Sequence, residues 1–528
     1  MKTIISAILS VFMMIAFSGL LSAQTNPAPD RAEGEGPYER LIIRGATMID
    51  GSGYPPLGPV DIVIEGNRIE EVVTVGYPGV PIDEDRRPDG ATHEIDAHGM
   101  YIMPGFVDMH VHAGGAPKNP DAEYAYKLWL AHGITTVRGV PLGEMNFAIS
   151  ESQRSANNEI TAPRIFEYHR PGRGGWEGQL RTPEDAREWV RWAADKGIHG
   201  LKLGAEDPAM MEALIDEAQK LGLGTTAHLG QTGVARMNGR DATALGLETI
   251  THFYGHFESL LKDNAIQNFP YYHNHQNEQH RFWQVAELWD QIHEPGSDEW
   301  NALLQHYLDN NVTMDPTMTI YEASRDVMAA RNADWHEKYT LPSMWEFFKP
   351  SREAHGSYWF DWGTREEVAW KNFYKRWMQL INDYKNMGGR IVTGSDSGFI
   401  YKLYGFGYIE ELELLQEAGL NPHEVIQAAT YNGAATLHEP MGEPVQFGKI
   451  REGLLADLVL IDENPLQNLK VLYGTGAIRL SEDNEIERVG GIKYTIKDGI
   501  VYDAKQLLED VARMVEEQER EMGPKESY

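Results

Sequence analysis

The chain has 528 residues, of which 42% are hydrophobic and 24% charged, enough for one large domain with an appendage or two to three ordinary domains. Its formal net charge of −32 argues against nucleic acid and anionic membranes as partners. The complete lack of cysteine excludes disulfides, thiolate metal sites and a lipidated cysteine.

Residues 1–23, "MKTIISAILSVFMMIAFSGLLSA", place Lys2 before an apolar run that ends in small residues. That is the layout of a secretory signal peptide and predicts export to the periplasm or the exterior; the alternative is an N-terminal membrane anchor. Residues 24–37 are polar and rich in Pro and Gly, and read as a flexible leader. Residues 38–98 carry short strands and turns, including a hairpin around Gly66-Asn67. Residues 439–503 return to that pattern in "ADLVLIDENP" and "IKYTIKDGIVYDA", so a β-sandwich domain built from both chain ends is expected. Residues 504–528 read as a charged, solvated helical tail.

Between these parts, residues 99–438 alternate apolar strand-like runs with amphipathic helical stretches. The runs are "YIMPGFVDMHVH", "ITTVRGV", "PRIFEYH", "GLKLG", "TTAHL", "TITHF", "VTMDPTMT" and "RIVTGSD". The helix after the third run announces itself with Thr182 as N-cap, Pro183 in the first turn and Asp185 three residues after the cap. Eight such alternations predict an α/β fold of the (β/α)8, TIM-like barrel type. The alternative is an open doubly wound sheet, but no glycine-rich dinucleotide fingerprint accompanies it. Two insertions, 254–311 and 320–389, exceed ordinary barrel connections, and nine of the thirteen tryptophans lie between Trp283 and Trp377. This region reads as a lid or apolar pocket wall, or equally as packing or a subunit contact. The histidines His273, His275 and His280 in "YYHNHQNEQH" read as a polar loop or as a further metal site.

Residues two apart on a strand face the same side, so His110 and His112 point together. Such a pair alone is weak evidence for a metal. Later runs end in Lys202, His228, His252 and Asp396, and all barrel strand ends meet at one mouth. A shared metal site accounts for all six residues; the alternative pairs Lys202 with Asp396 in a salt bridge and leaves the histidines as core donors. Arg138, Tyr254, His256, Tyr401 and Tyr404 also stand near strand ends, as candidates to orient a substrate carboxylate or oxyanion. Arg138 has a second reading as an ion-pair partner.

The ordered set "HVH", "LKL", "AHL", "THF" and "GSD" resembles the amidohydrolase superfamily, and more narrowly its imidazolonepropionase-related and prolidase-like members with two metals. The opening "IDGSGYPP" and the closing "TYNGAATLHEPMGEPVQFGKIREGLLADLVLIDENPL" extend the likeness from about Tyr38 to Asp503. The resemblance implies two divalent ions, zinc by preference. His110, His112 and Asp396 would hold one and His228 and His252 the other. Lys202, carboxylated by carbon dioxide to N6-carboxylysine, would bridge them. A bare ammonium there would repel both cations, whereas a carbamate supplies two anionic oxygens. Asp396 would be the catalytic base and then acid. His169 stands where relatives carry a glycine-histidine loop and is a further substrate-binding candidate. The implied function is a secreted hydrolase of an amide bond, in a dipeptide or an N-acyl amino acid, acting on a small molecule or peptide, in a chain that forms a homo-oligomer or none. Lactones, esters, cyclic amides and phosphotriesters are alternatives with the same metals, and a metal-carrying binding protein is a third reading.

Overall fold

The computed structural model describes residues 25–115, 117–351 and 358–525. The expected signal segment, 1–23, lies outside them.

Eight parallel strands follow one another in sequence order around a curled sheet: Phe106–Val111, Ile134–Gly139, Arg164–His169, Gly200–Leu203, Gly224–Ala227, Thr249–Thr251, Thr313–Asp315 and Arg390–Ile391. The edges meet, because Met109 N donates to Thr393 O and Asp396 N to His110 O, each at 2.8 Å. This is the arrangement of a TIM-like barrel. Every predicted run contains one of its strands, but the first run holds two. Tyr101–Pro104 belongs to another sheet, and the barrel begins after Gly105. A Cβ on Gly105 would lie 2.1 Å from Thr135 Oγ1, so only glycine passes at this crossing. The helix Pro183–Lys196 forms as its signals predict: Thr182 and Asp185 complete a capping box, and Gly197, at φ 100°, ends it.

Both chain ends do meet, in one mixed sheet of eight strands. Leu41–Met48, Leu57–Glu65, Arg68–Thr74, His93–Asp96 and Tyr101–Pro104 come from the N-terminal side, and Leu458–Ile461, Ile492–Lys497 and Ile500–Asp503 from the C-terminal side. The sheet keeps its own core around Ile43, Ile62, Ile102 and Leu458. The described strands outside the two sheets form only the hairpin Ala477–Leu480 with Ile486–Val489, so the expected sandwich takes the form of one continuous sheet.

Two expectations about the chain ends change. The tail helix, Ala504–Met522, is not solvated all round: Leu507, Leu508, Val511 and Val515 are buried, and the helix packs against Ala122–Ala131. The leader is not loose either. Glu35 exchanges both backbone hydrogen bonds with Val501, at 3.0 and 2.9 Å, and the residues before it lie along the barrel. In the long insertions three tryptophans are core residues: Trp300, Trp370 and Trp377 are fully buried, and Phe253 meets Trp377 and Phe373 edge to face at 5.1 Å.

Barrel and mixed sheet are joined by a buried ionic cluster. Arg164, which opens the third barrel strand, bonds Asp457 and Asp498; Lys497 pairs with Asp498 at 3.2 Å, and Asp498 N donates to Asp457 at 2.8 Å. These two carboxylates hold the guanidinium protonated against the cost of burial. Arg164→Met should leave the two carboxylates short of a counter-charge and cost about 3–5 kcal/mol, the usual scale for breaking a buried pair. It should lower the denaturant midpoint; an unchanged midpoint would show that the joint rests on apolar contacts instead.

Candidate metal centre

The C-terminal ends of the barrel strands open onto a cavity of about 1130 Å³. All six residues expected as metal ligands line it: His110, His112, Lys202, His228, His252 and Asp396. Three imidazoles turn their Nε2 atoms toward the Asp396 carboxylate, His112 at 3.5 Å, His110 at 3.8 Å and His252 at 3.9 Å. The His228 ring sits 4.7 Å from that of His252, centroid to centroid. Lys202 is buried and donates to Thr251 Oγ1 at 3.2 Å, so its amine is not directed at Asp396 as the salt-bridge alternative requires.

Local backbone sets these directions. His252 (φ 67°), Thr317 (φ 50°) and Asp396 (φ 48°) take the left-handed conformation, which turns each side chain off its strand end. Gly394 lets the eighth strand approach, since a Cβ there would lie 2.3 Å from Asp315 Oδ1 and 2.8 Å from His110 Cβ.

The far nitrogens of two rings, His112 and His252, are also held. His112 Nδ1 donates to Pro141 O at 2.7 Å. Thr317 gives its single hydroxyl proton to Pro316 O at 2.6 Å, so its oxygen can only accept from His252 Nδ1. Both rings therefore present an unprotonated Nε2 to the site. His110 Nδ1 faces Asp315 Oδ2 at 3.6 Å, and that carboxylate is bound by Arg138 at 3.0 Å. Burial drives the pKa of His110 and His252 well down and that of His112 to about 3, so all three stay neutral. Burial, and then the Arg170 charge, likewise push the Lys202 amine well below its ordinary value. A neutral amine is what carboxylation by carbon dioxide needs.

This donor set fits a divalent cation. Ligand atoms of His110, His252 and Asp396 lie within 4.8 Å of one another, combining neutral imidazoles with a carboxylate. Among the described residues no other cluster does so. The loop histidines do not gather in this way: His273 and His275 bond each other at 3.2 Å.

The substrate-side candidates divide. His169 lines the cavity with Nδ1 held by Glu167 at 3.0 Å, and Tyr254 lines it while stacked on His228 at 4.4 Å. Arg138 does not reach the cavity: it is fully buried, donates to Met109 O at 2.7 Å and pairs with Asp315, so it is an ion-pair partner. His256 is turned away to Tyr307 OH at 3.1 Å. Tyr401 and Tyr404 are buried among aromatic rings, beside Trp345 and Trp129.

Sequence reasoning missed Asp108, Glu167, Asp315 and Thr317. Asp108 is buried and accepts from Ser395 N at 2.9 Å, Ser395 Oγ at 2.6 Å and His110 N at 3.1 Å; burial raises its pKa to about 7. Asp315 carries the same signal that exposed Asp396, a carboxylate ending an apolar run.

The amidohydrolase family model matches residues 101–501, and the chain belongs to the amidohydrolase family. Among curated proteins it is similar to dihydroorotase of Elusimicrobium minutum, 28% identical over 226 residues, covering 40% of this chain and 48% of that one. It is also similar to N-acyl-D-aspartate deacylase of Alcaligenes xylosoxydans xylosoxydans, 39% identical over 76 residues, 14% of this chain and 13% of that one. The match thus spans less than half the length of either relative. Among solved structures, a Xaa-Pro dipeptidase with bound methionine superposes with a TM-score of 0.57 at 17% identity, covering 88% of this chain and all of that one. Bottromycin amidohydrolase superposes with a TM-score of 0.59 at 17% identity, covering 90% and 91%. These likenesses show a shared fold.

Thr317→Val keeps the shape at this position but removes the acceptor for His252 Nδ1. Affinity for divalent metal should fall about 10–100-fold, as is usual when such an outer partner is lost. Titration against a competing chelator reads this directly; unchanged affinity would remove Thr317 from the site.

Proposed function

We propose that the protein is an exported hydrolase of amide C–N bonds that uses two divalent metal ions, zinc by preference, on a dipeptide or an N-acyl amino acid. The observation that carries this reading is the convergence of three imidazoles on Asp396, at 3.5–3.9 Å, inside the cavity. The dipeptidase and deacylase among the similar proteins support the choice of bond.

His110, His112 and Asp396 would hold one ion, His228 and His252 the other, with Lys202 as a carbamate between them. When bound, such ions lower the pKa of water toward neutrality and polarise a carbonyl. Asp396 takes the proton of the attacking water and delivers it to the leaving nitrogen, which departs poorly without it. Glu167 fixes the His169 ring against the cavity, where it orients the scissile group. Phe282, Tyr321, Phe347 and Tyr358 form an apolar wall that limits water.

The remaining charge on the lining favours anionic substrates. Arg170, Arg173 and Arg281 line the cavity, and besides Asp396 the only acidic lining residue described is Glu144. A positive wall in a chain of net charge −32 matches a substrate carboxylate, which dipeptides and N-acyl amino acids both carry.

Elemental analysis with a panel of dipeptides, N-acyl amino acids, lactones and phosphotriesters tests the reading. Metal with amide cleavage supports it; cleavage confined to lactones or phosphotriesters replaces the bond. Asp396→Asn should keep most of the metal and lose about two to four orders of magnitude in turnover, the scale of a general base. Wild-type enzyme should also prefer a free acid over its carboxamide by about 10–100-fold in kcat/KM, the worth of a hydrogen bond to a charged group, and Arg170→Gln should erode that preference. Equal rates on both substrates would leave the cationic wall without this role. For export, mass spectrometry of protein from its natural host should find an N-terminus near Gln24; an intact Met1 in an exported sample would contradict it.

A further inference from the structure

The segment that precedes the mixed sheet, residues 25–35, runs from the back of the molecule to the catalytic mouth. At its far end Glu35 is paired with Val501. Glu33 then bonds Lys127 Nζ at 2.8 Å and Thr161 Oγ1 at 2.7 Å. Arg31 N donates to Glu159 O at 2.7 Å, and its Nε to Asn158 O at 3.0 Å. Ala28 is buried; its N–H donates to Glu151 Oε2 at 3.0 Å, and its carbonyl accepts from Arg154 at 2.8 Å. Glu151 is itself fully buried, so the segment satisfies a carboxylate oxygen that no water reaches.

Asn26 makes the decisive contacts. Its N–H donates to Pro120 O at 2.7 Å, its carbonyl accepts from Ala122 N at 3.1 Å, and its side chain donates to Asp121 Oδ1 at 2.8 Å. The helix Ala122–Ala131 lacks a side-chain cap from Asp121, so Asn26 satisfies one of its orphan amides. Pro120–Ala122 ends the loop that carries Lys118, and Lys118 Nζ donates to Gly398 O at 3.1 Å, two residues beyond Asp396. Thr25, the next residue outward, is 6% exposed and lines the cavity.

We propose that residues 25–35 are a strap of the catalytic site: Thr25 forms part of the cavity wall and sets what can enter, and Asn26 holds the loop that seats Lys118 against the Asp396 turn. This rests on the reading of the cavity as the catalytic site. The strap makes position 25 a determinant of substrate size, although it lies far in sequence from every ligand.

The chain has no cysteine, so Thr25→Cys supplies a unique thiol. Methanethiosulfonate reagents of increasing bulk, removable with dithiothreitol, then vary the wall in one protein. The enzyme carrying a bulky aromatic label should hydrolyse an amide at least about tenfold more slowly than the same enzyme carrying the methyl label, and reductant should restore it. The bulky label on Tyr54→Cys, 72% exposed in the loop between the first two strands of the mixed sheet and outside the cavity lining, should not slow hydrolysis. A second measurement does not depend on activity. In Asn26→Pro, hydrogen exchange at the amides of Lys118, Asn119 and Ala122 should accelerate at least about tenfold relative to the barrel strands, because the donor and the side-chain bond are gone. Equal rates with both labels at position 25, or unchanged exchange in Asn26→Pro, overturn the strap and leave amide hydrolysis standing. Failure of the unlabelled protein to cleave any amide instead overturns the functional reading, and the exchange experiment still decides the strap.

Discussion

The site depends on how the first barrel strand meets the eighth. Asp108 accepts both the backbone N–H and the hydroxyl of Ser395, and also the N–H of His110. Beside it Asp396 N donates to His110 O. One buried carboxylate therefore ties the edges of the sheet together and sets the spacing between the two residues that face each other across the site. Such a group is expensive to bury, and here three donors offset part of the cost while burial still holds its pKa up, at about 7.

The shell outside the imidazoles follows the same logic. Pro141 O, the Thr317 hydroxyl and the Asp315 carboxylate each face the nitrogen that points away from the cavity. Arg138 in turn neutralises Asp315 in the barrel interior. Among the described residues Lys202 has no carboxylate at hydrogen-bond distance and donates to Thr251, and burial favours its neutral form. The barrel thus delivers neutral nitrogens to one place and keeps compensating charge one layer back.

The amino-acid order revealed much of this because it is written at strand ends. Eight apolar runs gave eight strands, and polar residues closing those runs gave the six candidate ligands that line the cavity. Proximity to a strand end was a poorer guide away from the ligands. Arg138 lies inside the barrel, His256 turns to Tyr307, and Tyr401 and Tyr404 sink into aromatic packing. Those outcomes depend on side-chain direction, which the left-handed backbone at His252, Thr317 and Asp396 resets locally and which no periodicity reports. The leader misled for a related reason. Its Pro and Gly content signals the absence of helix and strand, not the absence of partners; its backbone is bonded to side chains and loops that lie far away in sequence.

Assembly of these residues around metal is open to direct observation. Anomalous X-ray diffraction at the zinc edge, on crystals grown with zinc and bicarbonate, tests it most directly. Anomalous peaks are expected among His110, His112, His228, His252 and Asp396, with a planar carboxyl group on Lys202 Nζ between them. Zinc found only elsewhere, or a bare Lys202 ammonium beside occupied metal positions, would contradict it.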